Sequence, residues 1–131
     1  MTVIFKEIEA FNNGHRDSIF ILKSSLNKIK RKRSMLEVGD LGILIVDSPQ
    51  KIHEYTDMVN KYGEDYALGM TLGYPPKCVL SFSRSSRMER KGFGTLVSGT
   101  FSFKCSEGLK NYAVNYMEDR YGLKSQFIIN K

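Results

Sequence analysis

Residues 66–82, YALGMTLGYPPKCVLSF, organise the chain because a sharp break here separates two apolar runs. A proline pushes the preceding residue out of the α region, so residues 73–76 (GYPP) cannot continue a helix. Pro76 lacks an amide hydrogen and suits the first turn of a new helix. Apolar residues recur at helical spacing on both sides of the break. The segment therefore predicts a helix near 65–72, a rigid corner, and a second helix near 76–83.

Residues 41–46 and 95–103 predict the strands of a small sheet. The first, LGILIV, is a short apolar run without alternation, which is typical of a central strand covered on both faces. In the second, TLVSGTFSF, alternation puts Phe101 and Phe103 on the same side as Val97. This alternation indicates a half-buried strand with a polar outer face.

Periodic apolar residues predict three further helices, near 18–31, 49–62 and 106–121. In the first of these, apolar residues recur at steps of three and four from Ile19 to Ile29. The run IFIL at its start also fits a strand, and this alternative stays open. The second follows a serine and a proline, which are typical of a helix start.

Together these elements predict an α+β fold, or alternatively an α/β fold. We expect a small mixed sheet that includes 41–46 and 95–103, packed by four to five helices. With 131 residues, the chain is expected to form a single compact domain spanning residues 1–131. Residues 3–11 fit a short strand or a first turn, and residues 127–129 fit a last strand.

The run LGYP at residues 72–75, with Cys78 in a short apolar helix after it, resembles a motif of uncharacterised prokaryotic and phage proteins. In that family the motif reads Leu-Gly-Tyr-Pro-x-Cys-Cys, and a second cysteine-bearing helix follows further along the chain. Cys78 corresponds to the second cysteine of the pair, while Lys77 replaces the first. Residues 103–106 (FKCS) correspond to the later segment without its companion cysteine. The family has no settled activity, so the resemblance implies no function, and the missing cysteines argue against a metal site.

The chain carries a net charge of +6, which favours acidic partners such as nucleic acid or a phosphate-bearing ligand. The alternative is that this charge serves solubility. Two groups of cations could bind an anion: Lys28, Lys30, Arg31, Lys32 and Arg33 in one, and Arg84, Arg87, Arg90 and Lys91 in the other. The first group could equally be a solvated helix end, and the second a mobile exposed loop at residues 83–94.

Three other residues could contribute contacts. Phe93, between two glycines, could stack on a base. The proline corner could present Tyr74 at the surface. Asp47 follows the strand at 41–46 and precedes a helix, a position where ligands bind in open α/β sheets.

Cys78 and Cys105 are expected to be buried thiols, because free cysteine packs like a small hydrophobic residue. A nucleophilic thiol needs a base, for which His15 and His53 are the candidates. Two cysteines and two histidines could supply four zinc ligands, but their spacings match no zinc-finger pattern. We expect neither a metal nor another cofactor.

No apolar run approaches the roughly 20 residues needed to span a bilayer, so no membrane association is expected. The N-terminal segment carries acidic residues where a signal peptide is positive and then apolar, which favours a cytoplasmic location. The leading hypothesis is a small, basic, non-catalytic protein that binds nucleic acid or a phosphate-bearing ligand. The alternatives are a phage or mobile-element accessory protein that binds a host protein, and a thiol-dependent enzyme that uses Cys78 or Cys105.

Overall fold

The computed structural model describes residues 3–129, and the chain divides into two compact units. The first unit ends at Lys61 and the second begins at Tyr62. Each unit contains helices and an antiparallel three-stranded sheet, so the predicted α+β class is confirmed. The single domain spanning residues 1–131 stays a prediction.

The first unit is built around a buried central strand. Its elements are α1 (Val3–Asn12), β1 (Ser18–Leu22), a 3-10 helix (Lys23–Lys28), β2 (Ser34–Val38), β3 (Gly42–Val46) and α2 (Pro49–Tyr62), of which only the last residue, Tyr62, belongs to the second unit. The strand order is β1-β3-β2, with both pairs antiparallel. All five residues of β3 are buried, so the prediction of a central strand at 41–46 is confirmed. The predicted helix at 49–62 is confirmed as α2.

Helix α1 and the sheet share one apolar core in the first unit. Ile19 lies opposite Ile45 across the β1–β3 ladder, and Ile21 lies opposite Ile43. Because strand side chains alternate between faces, these four isoleucines share one face of the sheet. They pack in one cluster with Ile8 and Phe11 of α1 and with Ile29. Each such buried side chain stabilises the fold by about 1.5–3 kcal/mol.

The predicted helix at 18–31 is wrong. Residues 18–22 form β1, residues 23–28 form a 3-10 helix, and the strand alternative for IFIL is the correct one. A period of two buries Ile19 and Ile21 on the same sheet face, and β-branched residues pack well there. Residues 3–11, expected as a short strand or first turn, belong to α1, and strand β2 was not predicted.

The second unit combines helices with an antiparallel sheet whose strand order is β5-β4-β6. Its elements are α3 (Glu64–Thr71), α4 (Pro76–Arg84), α5 (Arg87–Arg90), β4 (Gly94–Ser98), β5 (Phe101–Cys105), a 3-10 helix (Glu107–Leu109), α6 (Lys110–Tyr121) and β6 (Ser125–Ile128). The predicted helices near 65–72 and 76–83 are confirmed, as is a last strand near the C-terminal end. The helix predicted at 106–121 is α6, preceded by one 3-10 turn.

The prediction of one strand at 95–103, in the same sheet as 41–46, is wrong on both points. Residues 94–105 form a hairpin, β4 and β5, with its turn at Gly99, where φ is 59°. The buried positions are even-numbered in β4, as at Leu96, and odd-numbered in β5, as at Phe103. A single continuous strand would keep the same alternation throughout. Residues 41–46 lie in the sheet of the first unit, so there are two antiparallel sheets rather than one mixed sheet.

The proline corner is formed as predicted and is held by α6. Gly73 has φ of 86°, a left-handed conformation that favours glycine. The Tyr121 hydroxyl donates to the Gly73 carbonyl oxygen at 2.7 Å, and Pro76 begins α4. The Tyr74 ring stacks on Phe103 with the ring centroids 4.9 Å apart. The corner therefore joins α3, α4, β5 and α6 into one core.

Replacing Gly73 with alanine is expected to lower the free energy of unfolding by about 2 kcal/mol. A Cβ atom at Gly73 would lie 2.5 Å from the Tyr121 hydroxyl oxygen, so the substitution adds a lost hydrogen bond to the positive-φ strain. Gly122→Ala is the matched control, because Gly122 also has positive φ but has open space around it. It should lose only about 1 kcal/mol. Urea denaturation measures both, and equal losses would contradict the proposed clash.

Candidate functional site

The first basic cluster, Lys28, Lys30, Arg31, Lys32 and Arg33, extends from the last residue of the first 3-10 helix to the start of β2. Most of it is irregular backbone rather than a helix end. The interpretation as a solvated end of a helix at 18–31 therefore does not apply. Ile29, within the segment, is buried in the core of the first unit.

Asn12, the last residue of α1, holds the backbone of this segment. Its Nδ2 donates to the carbonyl oxygen of Lys28 at 3.1 Å. Its Oδ1 accepts from the backbone amides of Lys30 at 2.8 Å and Arg31 at 3.3 Å. One amide side chain thus pairs three backbone groups that no strand or helix would satisfy. The path of the basic segment is fixed by α1.

Arg31 differs from its neighbours because its guanidinium binds within the first unit. Nη1 donates to the carbonyl oxygens of Phe11 at 3.2 Å and Arg16 at 3.0 Å, and Nη2 to Asp17 Oδ1 at 3.3 Å. The guanidinium also lies over the Phe11 ring, 4.8 Å from its centroid. Its donors are therefore used for structure, which leaves few for an external anion.

The remaining cations of the first basic cluster are exposed. Lys30, Lys32 and Arg33 form no ion pair with any residue in the range 3–129. Lys28 and Lys30 also line an open groove of about 730 Å³. The other residues of the groove are Ile8, Glu9, Asn12, Asn13 and Asn27. Amide side chains are common phosphate and sugar ligands. The sequence alone did not indicate a site at these asparagines.

The second basic cluster, Arg84, Arg87, Arg90 and Lys91, surrounds the short helix α5. A capping box fixes this helix: the Glu89 amide donates to Ser86 Oγ, and the Ser86 amide donates to Glu89 Oε1 at 2.9 Å. The hydrogen bond from the Ser86 backbone lowers the pKa of Glu89. Half of the predicted exposed loop at 83–94 is therefore helical, in the end of α4 and in α5, and most of its polar side chains are exposed.

Arg90 is the inward member of the second basic cluster, as Arg31 is of the first. Its Nε donates to the Phe82 carbonyl oxygen and its Nη2 to Asp65 Oδ2, both at 2.9 Å. The guanidinium lies 3.9 Å from the Phe82 ring centroid. Arg84, Arg87 and Lys91 are exposed. The two clusters belong to different units, and their convergence on one surface stays a prediction.

The three additional contact residues are placed as follows. Phe93 is buried, edge-on to Phe82, which argues against stacking on a base. Tyr74 is half-buried against Phe103, so the corner presents less of it than expected. Asp47 Oδ1 lies 2.9 Å from Lys51 Nζ, in an ion pair within the first unit. This cation partner makes Asp47 part of a charge network rather than an open carboxylate.

Cys78 and Cys105 are buried and free, as predicted, and their Sγ atoms lie 3.8 Å apart. In its protonated form, Cys105 also donates to the Ser106 carbonyl oxygen at 3.3 Å. The hydrogen bond between the thiols, together with burial, raises the pKa of Cys78. The same bond lowers the pKa of Cys105, because the Cys78 S–H stabilises a Cys105 thiolate. Nothing in the spacing of these cysteines indicates that they meet.

Residues 62–131 contain no histidine, so His15 and His53 belong to the first unit and the thiols to the second. The thiols therefore find no imidazole base within their own unit. Among residues 3–129, no group of three or more His, Cys, Asp or Glu side chains is arranged to hold a metal ion. Within the same residues, no helix has both the length and the apolar character needed to cross a bilayer.

Comparisons of the chain with protein-family models, with curated proteins and with solved structures found no match. Function is therefore inferred from the geometry of the two basic clusters and of the cysteine pair.

Proposed function

We propose that this chain is a non-catalytic protein that binds nucleic acid through the phosphate groups of its backbone. The main contacts are the exposed cations of the first basic cluster, Lys28, Lys30, Lys32 and Arg33. The observation that supports this proposal is the fixed backbone of the segment, which Asn12 and Arg31 hold from inside. The exposed cations of the second basic cluster, Arg84, Arg87 and Lys91, form a further contact region.

Fixing the backbone matters because ordering a flexible basic loop on binding costs conformational entropy. Here Asn12 and the inward Arg31 have already ordered the segment in the free protein. Lys30, Lys32 and Arg33 present charges that no carboxylate among residues 3–129 neutralises. When these cations neutralise phosphates, the counterions condensed on the nucleic acid are released, and this release drives association.

The triple substitution Lys30→Gln, Lys32→Gln and Arg33→Gln is expected to weaken binding to a labelled DNA duplex by about 10- to 100-fold at low salt. Each lost phosphate contact should also reduce the slope of log K against log salt by about 1, so the slope should fall by about 3. Fluorescence anisotropy across a salt series measures both quantities. The wild-type protein provides the reference slope.

The control removes the same number of charges elsewhere, with Lys6→Gln, Lys61→Gln and Lys124→Gln. These lysines are exposed, and the control should retain most of the wild-type affinity. If both triple variants lose affinity equally, binding depends on net charge, and the assignment to the first basic cluster is wrong. Wild-type binding that does not change with salt would contradict a phosphate-based interface altogether.

A further inference from the structure

The two thiols of the chain connect elements that are distant in sequence. Cys78 lies in the first turn of α4, and Cys105 is the last residue of β5. Their side chains are in sulfur–sulfur contact at 3.8 Å, with relative exposures of 2% and 0%. They are the two cysteines of the whole sequence, so an intramolecular disulfide can have one pairing only.

We propose that Cys78 and Cys105 form a redox-active dithiol, which a small-molecule disulfide oxidises reversibly to an intramolecular disulfide. The contact between the Sγ atoms at 3.8 Å supports this assignment, because two sulfurs must meet before they can form a disulfide bond. The thiol–thiol hydrogen bond also supports it, because it prepares one sulfur as the nucleophile. The disulfide is expected to form whether or not the protein binds nucleic acid.

The reaction proceeds as two thiol–disulfide exchanges. The Cys105 thiolate, which accepts the hydrogen bond from Cys78, attacks one sulfur of the small disulfide RSSR. This step forms a Cys105–S–S–R mixed disulfide and releases one thiolate, RS⁻. Cys78 then loses its proton and attacks Cys105 Sγ, which displaces the second RS⁻. Both leaving groups take up protons, so the products are the protein disulfide and two RSH molecules.

Burial is expected to slow this reaction. Both sulfurs are shielded from solvent, so exchange requires a local opening of α4 or β5. Once formed, the disulfide closes a loop between residues 78 and 105. The second basic cluster, Arg84, Arg87, Arg90 and Lys91, lies inside this loop. Oxidation therefore restrains the segment that carries those cations.

The test uses the full-length reduced protein, equilibrated in glutathione buffers that span a range of reduced to oxidised glutathione. After an acid quench, intact mass should show the loss of two hydrogen atoms. A non-reducing digest should contain one cross-linked species that joins the Cys78 and Cys105 peptides. Dithiothreitol should reverse both changes. Cys78→Ala and Cys105→Ala serve as assignment controls, in which the cross-linked species must be absent.

The same glutathione equilibria measure the effective concentration of one thiol relative to the other. It should be at least about 100-fold higher in the native protein than in the urea-unfolded chain, where a flexible connection gives values near millimolar. A ratio near or below one would overturn the proposal, because the fold would then bring the thiols together for packing alone. Unchanged thiols, disulfide-linked dimers, or mixed glutathione disulfides as end products would also overturn it.

Discussion

Replacing Arg31 with methionine is expected to lower the free energy of unfolding of the first unit by about 3 kcal/mol. The variant loses hydrogen bonds to the Phe11 and Arg16 carbonyl oxygens, the ion pair with Asp17, and the contact over the Phe11 ring. The two carbonyl oxygens are left without a charged donor. Hydrogen bonds to charged groups contribute more than neutral ones, so the loss should exceed that of an ordinary surface substitution.

The control for Arg31→Met is Arg33→Met in the same segment. Arg33 is exposed, so its loss should change stability by less than about 0.5 kcal/mol. Urea denaturation, combined with hydrogen exchange of the β1 and β3 amides, measures the stability of the first unit specifically. Equal effects from the two substitutions would show that Arg31 is an ordinary surface cation. For DNA affinity, Arg33→Met is expected to have the larger effect of the two, provided that both variants are folded, because the exposed Arg33 contacts phosphate directly in the proposed interface.

The second large effect is expected from Arg16→Met. Arg16 is buried and pairs with Glu7 at 3.4 Å, with side-chain exposures of 4% and 14%. Removing one partner of a buried pair leaves a carboxylate without its counter-charge, and at pH 7 the loss should be about 3 kcal/mol. Glu7→Gln combined with Arg16→Met should recover part of this loss, because no buried charge remains.

The loss from Arg16→Met should depend on pH in a defined direction. Burial raises the pKa of Glu7 above its ordinary value of 4.5, although the charge and hydrogen bond of Arg16 lower it. A raised folded-state pKa means that the native state binds the proton more tightly, so stability falls as pH rises from 4.5 through the folded pKa. Without Arg16, the pKa of Glu7 rises further, so the pH range over which stability falls extends to higher pH.

The difference in stability between wild type and Arg16→Met should therefore be largest near neutral pH and shrink as pH falls toward 4.5. Urea denaturation at several pH values measures it. In the Glu7→Gln background the pH dependence of this difference should be largely absent. A difference that stays constant between pH 7 and pH 5 would mean that Arg16 acts through packing and not through the charge of Glu7.

Local sequence patterns correctly predict those elements whose boundaries are set by residues adjacent in the sequence. Proline and glycine restrict backbone angles without reference to the rest of the chain, so the corner at 73–76 and the start of α2 at Pro49 were predicted correctly. A short apolar run without alternation identified β3 as a central strand. Hydrophobic burial on both faces makes that pattern specific.

The predictions failed where two periods fit the same residues. The segment from Ile19 to Ile29 satisfies a helical spacing, but pairing with β3 makes its first part a strand. The sequence pattern predicts one strand at 95–103 where the structure has the hairpin of β4 and β5, because the short turn at Gly99 hardly interrupts the alternation. In both cases a partner strand selects the conformation, and pairing is not visible in a local window.

The sequence alone identified where the cations lie and that both cysteines pack in an interior, because charge and hydropathy belong to each residue. Tertiary structure selected which cations remain exposed: Arg31 and Arg90 turn inward because carbonyl oxygens, a carboxylate and an aromatic ring lie beside them. It also brought Cys78 and Cys105 into contact across 27 positions. Contacts of this kind form only when separate elements pack, so no local pattern of residues specifies them.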